Sequence, residues 1–191
     1  MTDALHEEDE DHDAMMAYGD GLLIAVALEE DEARVSALHE AGHAVACVML
    51  GRAIRYVTMR GRPAEPGGAP VPRVMVHPSF ADAYGVRRRP GFYRSCALIG
   101  IAGPMVECRN AGVAGFRRAA SQADLEQVVR YVDAVHQPDT DDERHQIIDG
   151  LAVEVEPLLD QWRDSIERVA DELLRRGRLT HAEVTALCAE E

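Results

Sequence analysis

Apolar residues fall with helical spacing from about 33 to 50, through Val35, Ala37 and Leu38 and then Ala44 to Leu50, and Gly51 supplies a stop. After it the pattern changes. Ile54 to Met59 and Arg73 to His77 are short β-branched runs separated by a Gly- and Pro-rich stretch over 61–70, which predicts two strands that pair as a small sheet. Residues 78–91 read as irregular. Phe92 to Ala111 is helical again, with Pro104 inside it and Gly112 after it, so a kink or restart at Gly103-Pro104 is expected. A further helix runs from Ser121 to about His136 and breaks at Gln137-Pro138.

Two capping boxes follow. Thr140 with Glu143 opens a long helix over about 141–175, expected to kink at Pro157, and Thr180 with Glu183 opens a short last helix over about 181–189, where Leu179 can staple onto Val184. Trp162, Ile166, Val169 and Leu173 form the inner face of the long helix. The fold class predicted is mainly α, with a small sheet or hairpin beside the first firm helix. Before that helix, residues 14–28 allow a short helical piece interrupted by Gly19 and Gly21. Residues 1–13 are dominated by Asp, Glu and His and read as a flexible acidic tail, which leaves 14–191 as one domain.

Composition narrows the function. The chain has 191 residues, is 47% hydrophobic and carries a net charge of -14, much of it in 7–13, 29–32 and 139–143, which argues against nucleic acid or an anionic membrane as partner. Its longest early apolar run, Gly21 to Leu28, is too short to span a bilayer, and the acidic start is unlike a signal peptide, so the expected location is cytoplasmic. Cys47, Cys96, Cys108 and Cys188 are widely spaced, as buried free thiols would be. All 20 basic residues are Arg, so the chain cannot supply a Walker A lysine, which argues against an ATPase.

His39-Glu40-Ala41-Gly42-His43 lies inside the first firm helix. Histidines four residues apart share one helical face, one turn apart, so both imidazoles can reach one metal while Glu40 flanks it. Zinc held in this way leaves a position open for water, and the carboxylate can take its proton. Gly42, beside the histidines, permits close approach of another helix. A third ligand is needed. Glu107, on the helix after Gly103-Pro104, and Asp124, in the first turn of the next helix, both qualify; spacing alone does not choose between them, and Asp124 three residues past Ser121 also suits the helix dipole. His77, His136, His145 and His181 have no partner at metal spacing and read as ordinary histidines.

The order of segments resembles the peptidase domain of FtsH, the membrane-bound ATP-dependent zinc protease. His39 to Ala44, Val57-Thr58-Met59-Arg60-Gly61-Arg62, Ile101 to Glu107 and Gln122 to Gln127 carry the resemblance, which extends over about 34–188. It implies Zn2+ as cofactor, His39, His43 and Asp124 as its ligands and Glu40 as the general base. The chain departs from the family pattern at Pro104, Cys108 and Ala123, and it shows no ATPase module or membrane segment. The expected activity is thus a stand-alone zinc peptidase acting on peptides or unfolded protein, with a homo-oligomer or a separate ATPase as the partners the resemblance admits. A catalytically silent interaction protein and a repressor-cleaving regulatory peptidase, whose third ligand would lie elsewhere than Asp124, are the competing readings.

Overall fold

The computed structural model describes residues 31–60, 72–76, 90–112 and 122–189. Helices make up most of them, with one three-stranded antiparallel sheet, so the mainly helical class expected from the hydrophobic pattern is the class found. Helix α1 covers 31–49 and ends as Gly51 takes a φ of +69°, a conformation costly for any residue with a side chain, while its N–H bonds the Val48 carbonyl at 3.0 Å. Then come β1 (Ile54–Thr58), β2 (Arg73–Val76), α2 (Pro90–Asn110), α3 (Gln122–His136), α4 (Asp141–Gln161), α5 (Arg163–Arg176), β3 (Arg178–Thr180) and α6 (His181–Ala189). The contact-rich unit is Val35–Glu191.

Strand order is β2-β1-β3, with Val57 facing Val74 on one side and Leu179 on the other. Thr58 fastens the centre of the sheet to the end of α5: its hydroxyl donates to the Gly177 carbonyl at 3.0 Å and accepts the Arg60 N–H at 3.0 Å, and Met59 N–H donates to the same carbonyl. Gly177, at φ +74°, caps α5 and turns the chain into β3. Val45, Ile101, Val128, Ile148 and Leu173, one from each of α1 to α5, are fully buried in one core. The face of Trp162, Ile166, Val169 and Leu173 is buried as its spacing requires. The four cysteines are free, three buried and Cys188 half-buried.

The second capping box forms in full and the first in its N-cap half. Glu143 N–H donates to Thr140 Oγ1 at 3.1 Å, and Glu183 N–H to Thr180 Oγ1 at 3.4 Å, while Glu183 accepts the Thr180 N–H at 2.7 Å. At the first box the returning Glu143 carboxylate takes the Asp139 N–H instead, one residue earlier than the standard pattern.

Three elements differ from the sequence expectation. Strand β3 has no signal of its own, since three residues acquire strand character only by pairing with β1. Helix α2 runs unbroken through Gly103-Pro104, because Ile101, Ala102, Met105 and Val106 are buried on both sides of the proline and hold the helix against its neighbours. The long C-terminal helix divides at Trp162, not Pro157. The carbonyl that Pro157 leaves without a donor belongs to Val153, which is on an exposed face where water can bond it, and the buried Trp162 instead takes φ -97° and ψ 4°. The tail over 1–13, the helical piece over 14–28, the loop over 61–70, His77 and the Ser121 cap lie outside the described residues. Among the described residues no helix is long and apolar enough to cross a membrane.

Close helix packing sets the frame for the site. A Cβ at Gly42 of α1 would meet Val106 Cγ2 at 3.0 Å and the Ala102 carbonyl at 3.1 Å on α2, and one at Gly100 of α2 would meet Val128 Cγ2 of α3 at 2.8 Å. Gly150 of α4 has nothing within 4 Å of such an atom. Gly100→Ala should therefore destabilise, because overpacking a stiff valine costs about 1–3 kcal/mol against about 1 kcal/mol gained in helix propensity. Gly150→Ala should stabilise by about 0.5–1 kcal/mol. Urea unfolding of the two variants in chelator checks both signs; equal effects would contradict the α2–α3 packing.

Candidate metal centre

α1 carries His39 with Glu40 next to it and His43 one turn later, α2 carries Glu107 near its end, and α3 carries Asp124 in its first turn. Packing brings the three helices to one point. The His43 ring lies on Gly103, where a Cβ would stand 2.4 Å from Nε2, so only glycine leaves room for this imidazole. His43 Nδ1 is 2.7 Å from the Ile99 carbonyl, an acceptor only, so Nδ1 carries the proton and Nε2 of the neutral ring presents a lone pair. His39 Nδ1 likewise donates to Glu107 Oε2 at 2.9 Å.

With both Nδ1 atoms committed, the two Nε2 atoms face each other at 3.1 Å. Asp124 turns one carboxylate oxygen to each: Oδ2 is 3.3 Å from His39 Nε2 and Oδ1 is 3.4 Å from His43 Nε2. One donor atom from each of the three residues can be chosen so that all lie within 4.8 Å of one another. A tetrahedral zinc ion with ligands at about 2.0–2.1 Å sets its ligand atoms about 3.3 Å apart, so this donor set fits such an ion. Two lone pairs and a carboxylate converging in a half-buried site repel one another unless a cation or a proton stands between them. Glu107 has a different position from Asp124: it bonds the outer nitrogen of His39, where carboxylates orient metal-binding imidazoles.

Glu40 is buried beside the pair, and its Oε2 has no hydrogen-bond partner among the described residues. Burial pushes its carboxyl above the ordinary 4.5, ahead of the lowering influence of His43, His39 and a backbone bond from Val74. At His39 burial by itself lowers the pKa; the Asp124 carboxylate, aided by Glu40 and Glu107, outweighs it, and the net direction is upward from 6.5. These groups line a cleft of about 460 Å³ that also exposes Ser36, Arg73, Val74, Ile99 and Gln127.

His39, Glu40, His43 and Asp124, singled out in the sequence, are thus brought to one place, and Glu107 joins them in a supporting position. The Ile99 carbonyl and Arg73 were missed. A backbone carbonyl leaves no mark in sequence, and Arg73 has only its place in a short strand. Among the other histidines, His136, His145 and His181 stand apart from the cluster; His77 is outside the described residues.

The two raised pKa values have one sign. A group whose folded pKa exceeds its unfolded value contributes stability that is complete below the unfolded value and is lost as pH rises through the folded one. In chelator, the stability difference between wild type and His39→Gln should therefore favour wild type most below pH 6.5 and shrink above it. With zinc the trend should reverse, since metal binding requires the neutral ring. Thermal melts across pH, with and without zinc, measure both; a difference in chelator that grows with pH would show that the charged His39 is not held by Asp124.

Comparison with known proteins adds no family to this geometry: no family model matches the chain, and no curated protein matches it.

Proposed function

We propose that the chain is a zinc-dependent peptidase of the kind its resemblance to the FtsH peptidase domain implies, cleaving flexible polypeptides that need no unfolding. The convergence of His39 Nε2, His43 Nε2 and the Asp124 carboxylate, each imidazole with its other nitrogen already bonded, carries this reading. A merely structural cluster does not require Glu40, and Glu40 is there, buried, with one oxygen unpartnered among the described residues and its pKa raised.

His39, His43 and Asp124 would hold the ion, with Glu107 and the Ile99 carbonyl orienting the two rings. Bound there, zinc supplies Lewis acidity that polarises a peptide carbonyl and acidifies water. Glu40 accepts the proton of the attacking water and delivers it to the departing amine nitrogen; its raised pKa brings it nearer to the neutral range in which a base is most effective. Burial of Glu40 keeps its carboxylate poorly solvated and correspondingly reactive. Strand β2 lies at the edge of the sheet and lines the cleft through Arg73 and Val74, so an extended peptide can align beside it.

Two experiments test this. Glu40→Gln should keep zinc and fold and lose about 100- to 10,000-fold in cleavage of an unstructured substrate such as casein, with ATP making no difference. Identical behaviour of wild type and Glu40→Gln on every flexible substrate would favour a silent scaffold. Asp124→Ala should nearly abolish zinc binding, whereas Glu107→Ala should weaken it by about 10- to 100-fold, as measured by competition with a chromophoric chelator. The opposite ranking would overturn the ligand assignment.

A further inference from the structure

The cleft beside the proposed metal site is lined by three acids, Glu40, Glu107 and Asp124, and among its described lining residues Arg73 is the one fixed cation. Arg73 stands on the edge strand β2, opposite Thr58 of β1 and next to Val74. The side chain is half-buried, yet its Nε is fully buried and has no hydrogen-bond partner among the described residues, nor does the guanidinium form an ion pair there. Arg52 Nε is also buried without a partner, but its guanidinium is stacked on the Phe92 ring and does not line the cleft. Arg94, Arg109, Arg144, Arg163, Arg175 and Arg176 all pair with acids, most of them on the surface.

An uncompensated buried N–H donor is costly, on the order of 1–3 kcal/mol. A guanidinium offers five donors in a rigid fork that matches a carboxylate, whereas a peptide backbone gives it only neutral carbonyls. The nearby acids do not satisfy it: Glu107 bonds His39 and Asp124 faces both imidazoles. Nε itself is closed off, but the Nη nitrogens form no bond or ion pair among the described residues and are not buried, and a guanidinium that lines a cleft of about 460 Å³, on the strand against which an extended peptide would lie, fits an anionic group carried in by the ligand.

We infer that Arg73 is a specificity residue that binds a carboxylate of the substrate peptide, so that the cleft selects peptides with an acidic group near the point where the chain passes the metal site. This deepens the peptidase reading and rests on it. The carboxylate can be an Asp or Glu side chain or the peptide's own C-terminus; the same chemistry recognises both, and the two differ only in whether the substrate is cut internally or close to its end.

Matched peptides separate these sources. One neutral sequence is made with an amidated C-terminus and Gln, a second with an amidated C-terminus and Glu in place of Gln, and a third with Gln and a free C-terminus. Two readouts are taken: the kcat/KM ratio of each acidic peptide to the neutral one with zinc-loaded wild type, and the corresponding ratio of affinities for zinc-loaded Glu40→Gln, measured by fluorescence anisotropy without turnover. Either acidic peptide should exceed the neutral one about tenfold, with the advantage falling as salt is raised. Arg73→Met should bring the ratio to about one, and Arg73→Glu should reverse it in favour of a Lys-containing peptide. A ratio near one in wild type by both readouts, or a preference that survives Arg73→Met, overturns the assignment. Failure of the two proposals can be told apart: carboxylate-dependent binding to Glu40→Gln without any cleavage by wild type leaves Arg73 in its role and removes the peptidase, while cleavage indifferent to charge does the reverse.

Discussion

Helix α1 can lay the His43 ring on the backbone of α2 only because position 103 has no side chain; a single methyl there would stand 2.4 Å from the ring nitrogen that faces the site. The same approach needs Gly42 on the opposing helix, whose own missing side chain leaves room for Val106 and the Ala102 carbonyl. Gly100 then lets α3 close on α2 from the other side, and α3 carries Asp124. Three glycines, one on α1 and two on α2, thus govern whether the donor atoms of three helices meet at all. Glycine inside a helix is otherwise unfavourable by about 1 kcal/mol, a cost offset here by the backbone proximity that larger residues forbid.

That proximity creates an electrostatic problem as well as a site. Two imidazole lone pairs and a carboxylate are held within a few ångströms of each other, with a further buried carboxylate beside them. Without a metal, the raised His39 pKa records the simplest relief, a proton shared into the cluster. A divalent cation relieves it more completely, because it satisfies all the inward-facing donors together and leaves the outer bonds to Glu107 and Ile99 unchanged. The hydrophobic core, drawn from α1 to α5, supplies the rigidity that keeps such mutually repelling groups from moving apart.

The sheet has a different task. Thr58 and Gly177 join β1 to the end of α5, and among the described residues β2 and β3 are the two outer strands, of which β2 lines the cleft. Glu40 is tied to this edge through Val74. A short strand fastened at its far side is therefore the element that brings Arg73 and a line of backbone groups alongside the proposed chemistry, while the helices hold the side chains that could bind a metal.

Much of the site was legible along the chain because it depends on local spacing. Histidines at i and i+4 share a helical face whatever surrounds them, Glu40 follows from the same periodicity, and Gly42 is conspicuous among larger neighbours. The N-cap bonds at Thr140 and Thr180 are local bonds across three residues, and both form between the residues that the sequence marks. The inner face of α5 follows from its 3.6-residue period. Long-range geometry decided the rest. Glu107 and Asp124 are both acids on neighbouring helices, and only the rotation of α2 and α3 about their axes sets one against an outer nitrogen and the other between the two inner ones. Strand β3 exists through its pairing with β1, the turn at Trp162 falls where a large side chain can be buried and not at the proline, and the carbonyl of Ile99 belongs to a backbone that looks alike at every position in sequence. Local periodicity names the side chains on one face; which face meets which, and which atom of each acid points inward, is settled only when the helices pack.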